Sequence, residues 1–395
     1  MKLWIKYLLA SAVGYLYASF IPFFSNQIEW FRTASEVITA SVPLLLYPLV
    51  FFTLASASAS VRFQGQLLRL SARALLWSLC SHIMLVGLGV LIASQVTASP
   101  NIPGISPAEI SFPNVLDALR LQPLPFWLTA LCGFFFGLAL QPDHERYSHG
   151  YHTVNSLGEA CYRIAQSGSE FLSLGVFVFA GILVFEVQQH PLLTPSSILA
   201  VTAVLTSLIG VLLILPLLAM VLCAQRHPFR WIAALGAPWF AAAVSGNYLL
   251  ASIPLYSNAR TNLGAVRSVP SVSLPLFSVF GRGGTAMVTA VITVTVLSFY
   301  QGTAPSMMQI LLLSSLSIAA SCTAWIVPGM EISISVMLVL SLSGMDLPHA
   351  AGFAVTSLVL RGAAASLDIM TAGLGTGYTA QMLGAETAPS WKEMQ

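Results

Sequence analysis

The stretch Phe280–Met287, FGRGGTAM, places Arg282 among three glycines inside an apolar run that extends from about 271 to 300. Three more ionisable residues, Glu331, Arg361 and Asp368, stand in similarly apolar surroundings in the same half of the chain. A charge at mid-bilayer costs at least about 2.5–3.5 kcal/mol on insertion scales, so each of the four is a candidate for function and needs a partner. The chemistry open to such a set is recognition rather than bond cleavage. A guanidinium is always charged and can grip a carboxylate with two parallel hydrogen bonds. An embedded carboxylate can neutralise it or take up a proton. No CxxC, HExxH, Walker or strand-linked GxGxxG pattern is present, which argues against a nucleotide-driven pump or a hydrolase.

Those four residues are held by elements built for lipid. The chain of 395 residues is 56% hydrophobic and 8% charged, against about 25% charged in soluble domains, and its mean hydropathy is +0.82. The formal net charge of +2 comes from scattered basic residues and carries no nucleic-acid signal. The five cysteines lie far apart and read as small buried thiols, and no metal site is assigned.

Apolar segments occur at about 4–24, 37–60, 70–97, 125–141, 168–187, 196–223, 271–300, 306–343 and 347–384. In lipid every backbone polar group needs an internal partner, so these are expected to be helices. The first segment is too long for a signal-peptide core and reads as a retained helix. Lys2/Lys6, Arg62/Arg69/Arg73, Arg146/Arg163, Arg226/Arg230 and Arg260/Arg267 fall on one side of the membrane, against Arg32 and Arg120 on the other. The first side, with both termini, is expected to be cytoplasmic. A Pro-rich stretch, 99–124, and a polar stretch, 142–157, read as loops.

The C-terminal half is interrupted three times: at Ser245-Gly246-Asn247, at the opening motif, and at Val327-Pro328-Gly329. A Pro-Gly pair cannot continue a helix, since proline lacks the amide donor and glycine disfavours it. The first and last interruptions predict re-entrant hairpins, and paired interrupted segments point to a transporter site at the midplane. Ser245 and Asn247 could bond a solute carboxylate or satisfy the tip's own backbone. Thr285, Thr323 and Thr371 could donate to a solute or to their own preceding turns. His82 and His349 could relay protons or simply pack, and Trp30 and Trp391 read as interfacial anchors.

With this layout, the chain resembles the dicarboxylate/amino acid:cation symporter family, the glutamate transporters. Leu263–Ala286, LGAVRSVPSVSLPLFSVFGRGGTA, follows the family pattern LPLGATINMDGTA through Leu274-Pro275-Leu276 and Gly284-Thr285-Ala286. Val244–Asn247 stands at the family's serine-rich first tip, and Ile326–Gly329 at its GVPG second tip. Val42–Phe52 looks like its second helix. The family's Asn, Met and Asp of NMDGT, two of which help bind sodium, are replaced by Gly281, Arg282 and Gly283. On the last helix the family's substrate arginine corresponds to Leu367, its threonine to Asp368, its asparagine to Thr371 and its second aspartate to Gly375.

The resemblance implies an all-α polytopic membrane protein with eight transmembrane helices and two re-entrant hairpins, a secondary transporter and not an enzyme. Residues 1–66 would hold scaffold spans 1 and 2, 67–98 span 3 of a moving transport domain, and 99–190 scaffold spans 4 and 5. Residues 191–385 would hold span 6, hairpin 1 (230–260), span 7 (271–300), hairpin 2 (306–343) and span 8 (347–384), leaving 386–395 as a cytoplasmic tail. It implies a homotrimer in a plasma membrane, or an inner membrane in a Gram-negative-type cell, and elevator-type alternating access. The solute would be small and anionic or zwitterionic: glutamate, aspartate or a C4 dicarboxylate, with other small amino acids or a non-transporting, channel-like descendant as alternatives.

The binding residues implied are Ser245, Gly246, Asn247, Arg282, Thr285, Val327, Pro328, Gly329, Asp368, Thr371 and Gly375. Gly281, Gly283, Glu331 and Asp368 are the ion-coupling candidates, and no cofactor is expected beyond sodium or a proton as coupling ion. Two readings of Arg282 stand side by side: it anchors the solute in place of the arginine missing at Leu367, or it closes an internal pair with Asp368 or Glu331. A third has it snorkelling to an aqueous face. The missing sodium-site acids predict sodium-independent transport, with Glu331 able to carry a coupling proton.

Overall fold

A computed structural model describes residues 2–20, 25–63, 65–97, 126–140, 148–189, 195–223, 227–301, 303–323, 330–343 and 358–381. All regular elements in it are helical. The N-terminal half comprises α1 (Leu3–Phe20), α2 (Ser25–Phe63), α3 (Leu67–Thr97), α4 (Phe126–Ala139), α5 (Ser148–Gln189), α6 (Pro195–Ile209) and α7 (Leu215–Cys223). Among the described residues, six helical stretches are long and apolar enough to cross a membrane. The protein is a multi-pass membrane protein, helical throughout its described regular elements.

Two elements depart from the sequence reading. The stretch expected as a polar loop, 142–157, is helical from Ser148 onward and continues as α5 for 42 residues, about 60 Å at 1.5 Å per residue and about twice the hydrocarbon core. Val154, Tyr162, Ala165 and Ser169 are buried at helical spacing, so its polar half packs on protein as an amphipathic helix. The segment 196–223 is not one regular helix either. Gly210–Ile214 widens into a π-turn between α6 and α7, closed by the Leu215 N–H donating to the Gly210 carbonyl. Pro216 comes next, and its ring would clash with the carbonyl four residues back, which lies in the widened turn.

The C-terminal half holds α8 (Pro228–Ala234), α9 (Gly236–Ser245), α10 (Tyr248–Thr261), α11 (Ser268–Phe280), α12 (Gly283–Gln301), α13 (Met307–Ser321), α14 (Glu331–Leu342) and α15 (Leu358–Gln381). Helices α9 and α10 pack against each other across the turn Ser245–Asn247, as the sequence predicts for a hairpin. Gly246 has φ 60° and ψ 20°, the left-handed conformation that a Cβ disfavours. Asn247 caps α10: its side-chain oxygen accepts from the N–H groups of Leu249 (2.9 Å) and Leu250 (3.2 Å). Asn247→Ala should therefore cost about 1 kcal/mol, and Asn247→Ser should recover most of it; midpoints of thermal unfolding in detergent read both.

The interruption at the opening motif is shorter than its glycines suggest. Only Gly281 and Arg282 lie outside α11 and α12. Helices α13 and α14 pack on each other, whereas the tip between them, with Val327, Pro328 and Gly329, lies outside the described residues, as do His349, Trp391 and the tail.

Burial separates the halves. In the apolar window of α2, 33% of residues are buried, against 83% within Ser268–Ser298 and 89% within Leu358–Gln381. The polar residues track the burial: Thr285, Thr289, Thr293, Asp368, Thr371, Thr376 and Thr379 all sit inside the C-terminal bundle. Helices α1 and α4 pack around α2 and α5, while α3, α11, α13 and α14 join α12 and α15.

Candidate functional site

Asp368 lies inside the bundle on α15, and its side chain is 1% exposed. Its Oδ1 accepts the N–H groups of Gly284 (2.6 Å) and Thr285 (3.0 Å), and its Oδ2 accepts the Thr285 hydroxyl (2.6 Å). These are orphan donors at the first turn of α12, so a carboxylate from another helix caps that terminus and opposes its partial positive charge. The fit depends on Gly284. A Cβ there would strike the Ala364 carbonyl oxygen and come within 2.5 Å of the Leu367 Cβ, so only glycine lets the two backbones approach this closely.

Arg282 completes the arrangement. Its Nη1 stands 3.6 Å from Asp368 Oδ2, with the arginine side chain 2% exposed. That spacing makes an ion pair rather than a hydrogen bond. Its Nε donates to the Ser278 carbonyl at 2.8 Å, one of the orphan acceptors at the end of α11. Each end of the interrupted helix thus faces the charge its dipole favours, a cation at the C-terminus of α11 and an anion at the N-terminus of α12. The guanidinium carbon also lies 3.9 Å from the centroid of the Tyr248 ring, a cation–π contact from the first hairpin. Arg282 is therefore an internally paired residue, and burial rules out snorkelling.

A small cavity adjoins the pair. Gly246 and Tyr248 from the first hairpin, Arg282 and Thr285 from the interrupted helix, and Asp368 form part of its wall. Glu331 and Ile332 contribute from α14, and Arg361, Ala364 and Ala365 from α15. Its volume is about 10 Å³, enough for one water.

The Ser245 hydroxyl donates to the Ala241 carbonyl (2.6 Å) and accepts the Asn247 N–H (3.2 Å), so the first tip's polar groups serve its own backbone. Gly281 lies in the break and Gly283 opens α12 on the other side of Arg282. A Cβ on Gly375 would meet the Trp77 ring and Phe277, while the Thr371 carbonyl accepts from Trp77 Nε1–H at 2.9 Å and its hydroxyl oxygen lies 3.6 Å from where a Cβ on Gly283 would stand. The Thr371 hydroxyl is buried with no hydrogen-bond partner among the described residues. The Thr323 hydroxyl returns to the Ala320 carbonyl, and His82 packs between Ser78 and Ser321.

Sequence reasoning missed Tyr248, which comes directly after the predicted tip, and the alanine pair beside Asp368. The helical repeat could have found that pair, since Ala364, Ala365 and Asp368 share one face of α15.

The Asp368 carboxylate is taken up by protein groups. Both of its oxygens accept protein hydrogens, and a guanidinium faces the second of them. Among the described residues no group of three His, Cys, Asp or Glu side chains could hold a metal.

Residues 128–381, well over half of the chain, match the family model described as "Sodium:dicarboxylate symporter family". No curated protein matches the chain.

Proposed function

We propose, since the chain belongs to the sodium:dicarboxylate symporter family, that it is a secondary carrier moving a small carboxylate-bearing solute across a bilayer without sodium as the coupling ion. Members of that family are transporters, which sets an enzymatic reading aside at family level. The observation that carries the sodium-free reading is the buried Arg282–Asp368 pair. Its guanidinium sits 3.6 Å from the carboxylate, at the position where the family resemblance puts a sodium-binding motif. A fixed cation there takes the role of a mobile one.

The packing supports a two-part carrier of eight spans and two re-entrant hairpins. Helices α1, α2, α4 and α5 would form the scaffold, assembled as a trimer. Helices α3 and α6–α15 would form the moving part, sliding as an elevator with both termini cytoplasmic. What favours this division is that α2 and α5 gather the first group, while α12 and α15 gather the second. Solutes in keeping with the family name are C4 dicarboxylates and acidic amino acids. Small zwitterionic amino acids come next, with Glu331 as the group able to carry a coupling proton.

The test is uptake of labelled succinate, aspartate and glutamate into proteoliposomes under a sodium gradient, a proton gradient and neither. Uptake that is indifferent to sodium is expected. Strong sodium dependence would overturn the reading of the pair, and no uptake under any gradient would favour a non-transporting descendant of the fold.

A further inference from the structure

We propose that His82 binds the coupling proton, and that a proton there and the negative charge of the solute hold each other in the carrier. This rests on the carrier reading above and moves its coupling proton from Glu331 to His82.

His82 lies in the middle of α3, 3% exposed, with an oxygen on each side of its ring. Its Nδ1 is 2.6 Å from the Ser78 carbonyl oxygen, which can only accept. Its Nε2 is 3.4 Å from the Ser321 hydroxyl oxygen, on α13. That hydroxyl has one hydrogen, and it points to the Ile318 carbonyl at 2.8 Å. What it offers the ring is a lone pair. A neutral imidazole has one N–H and leaves a bare nitrogen against an oxygen, whereas an imidazolium has two N–H groups and satisfies both acceptors. The neutral ring is accommodated when the Ser321 hydrogen turns from Ile318 to Nε2. One hydroxyl rotation thus fits the site to either protonation state.

The surroundings have hydrogen-bonding capacity to spare. The hydroxyls of Ser78, Ser317 and Thr371 are buried with no hydrogen-bond partner among the described residues. Ser78 stands one turn before His82 and Ser317 one turn before Ser321. A Cβ on Gly283 would stand 3.6 Å from the Thr371 hydroxyl oxygen and 4.0 Å from the His82 backbone nitrogen. Helices α3 and α15 therefore meet at the first residue of α12, next to the Arg282–Asp368 pair.

Charge makes the proton conditional on the solute. Asp368 is the charge that acts on the ring, and Arg282 already balances it. Of the other helices packed on α3, α6, α11 and α13 carry no acid, base, thiol or tyrosine, and neither does α12 from Gly283 to Ser298. Cys322 follows Ser321, and Cys80 precedes His82 by two residues. Arg62, Arg69, Arg73, Cys223 and Tyr378 lie toward the first half of α3. Glu331 and Arg361, on the cavity wall with Asp368, cancel in formal charge. A proton on His82 therefore leaves two positive charges against one negative, which is costly in low dielectric. The negative charge of a solute bound beside the pair offsets that excess. By linkage the proton favours the solute as much as the solute favours the proton. The proton comes from water on one side, occupies the Nε2 lone pair and returns to water on the other. No bond other than N–H forms or breaks at the ring.

The experiment uses proteoliposomes that hold the full chain and an internal pH dye, without sodium. Labelled aspartate and, separately, succinate are supplied to the wild type, His82→Gln and Ser321→Ala. In the wild type uptake should rise as the pH falls, protons should enter with the solute, and an inward proton gradient should drive accumulation. His82→Gln should lose both the proton entry and the accumulation. Exchange of solute held at equal concentration on both sides needs no net proton and reports whether a variant is folded. Ser321→Ala keeps the ring but removes the acceptor of Nε2–H, so half-maximal uptake should move to lower pH. That shift is the deciding result where His82→Gln is silent in exchange as well. Proton entry that persists in His82→Gln, wild-type uptake without proton entry, or an unmoved pH profile in Ser321→Ala each overturns the inference and leaves the carrier reading intact. No uptake of either probe by the wild type overturns the carrier reading and this inference with it.

Discussion

Asp368→Ala is expected to cost about 3–5 kcal/mol of stability, because it strands the Arg282 guanidinium in the bundle without its counter-charge. The same change removes the acceptor of the Gly284 and Thr285 N–H groups and of the Thr285 hydroxyl, leaving the first turn of α12 uncapped. The informative comparison is with the double variant Arg282→Met, Asp368→Ala. Replacing both members of a buried pair by apolar groups is often near neutral, so much of the loss should return. Thermal unfolding of the purified protein in one detergent, arranged as a double-mutant cycle, measures the coupling. Costs that simply add would show that the two residues are not a unit.

The second large effect is expected at Gly284. Alanine there would press its Cβ against the Ala364 carbonyl and to within 2.5 Å of the Leu367 Cβ. Backbone cannot yield as a side-chain end can, so α12 must move away from α15 and the short contacts to Asp368 lengthen. Overpacking alone should cost about 1–3 kcal/mol. Gly283→Ala is the control within the same motif. Its Cβ would meet the end of the Leu85 side chain at 2.9 Å, a group that can rotate aside. A stability ratio between the two variants near one would contradict the close approach at Gly284.

The sequence announced the devices that punctuate the chain more clearly than the contacts that complete them. Ser245-Gly246-Asn247 predicts a tip because glycine accepts a left-handed backbone and asparagine caps the helix after it, and both occur there. The cost of a charge in lipid singles out Arg282 and Asp368 before any geometry is known, and these two are brought together. The sequence left the role of Arg282 open between solute and internal partner. That choice depends on where α15 lies relative to the break in α11–α12, which no local pattern encodes. The same holds for Tyr248, whose ring meets the guanidinium only because the first hairpin folds against the interrupted helix.

Thr371 and Gly375 were placed in the site through correspondence with family positions. In the structure Gly375 faces Trp77 and Phe277, and the Thr371 hydroxyl lies beside Gly283 at the start of α12. The length of α5 was hidden by composition. Polar residues at 148–167 look like a loop, yet their buried members recur at helical spacing. The π-turn at Gly210 had a visible cue in Pro216, two residues beyond its end.

The most direct test of the central claim, that a fixed arginine stands where a mobile cation would bind, is to count the sodium ions entering proteoliposomes with each labelled solute molecule. The expected result is that none accompany the solute, with Asp368 held by Arg282 throughout the cycle. A fixed ratio of one or more sodium ions per solute would mean that other oxygens bind the ion and would contradict the account.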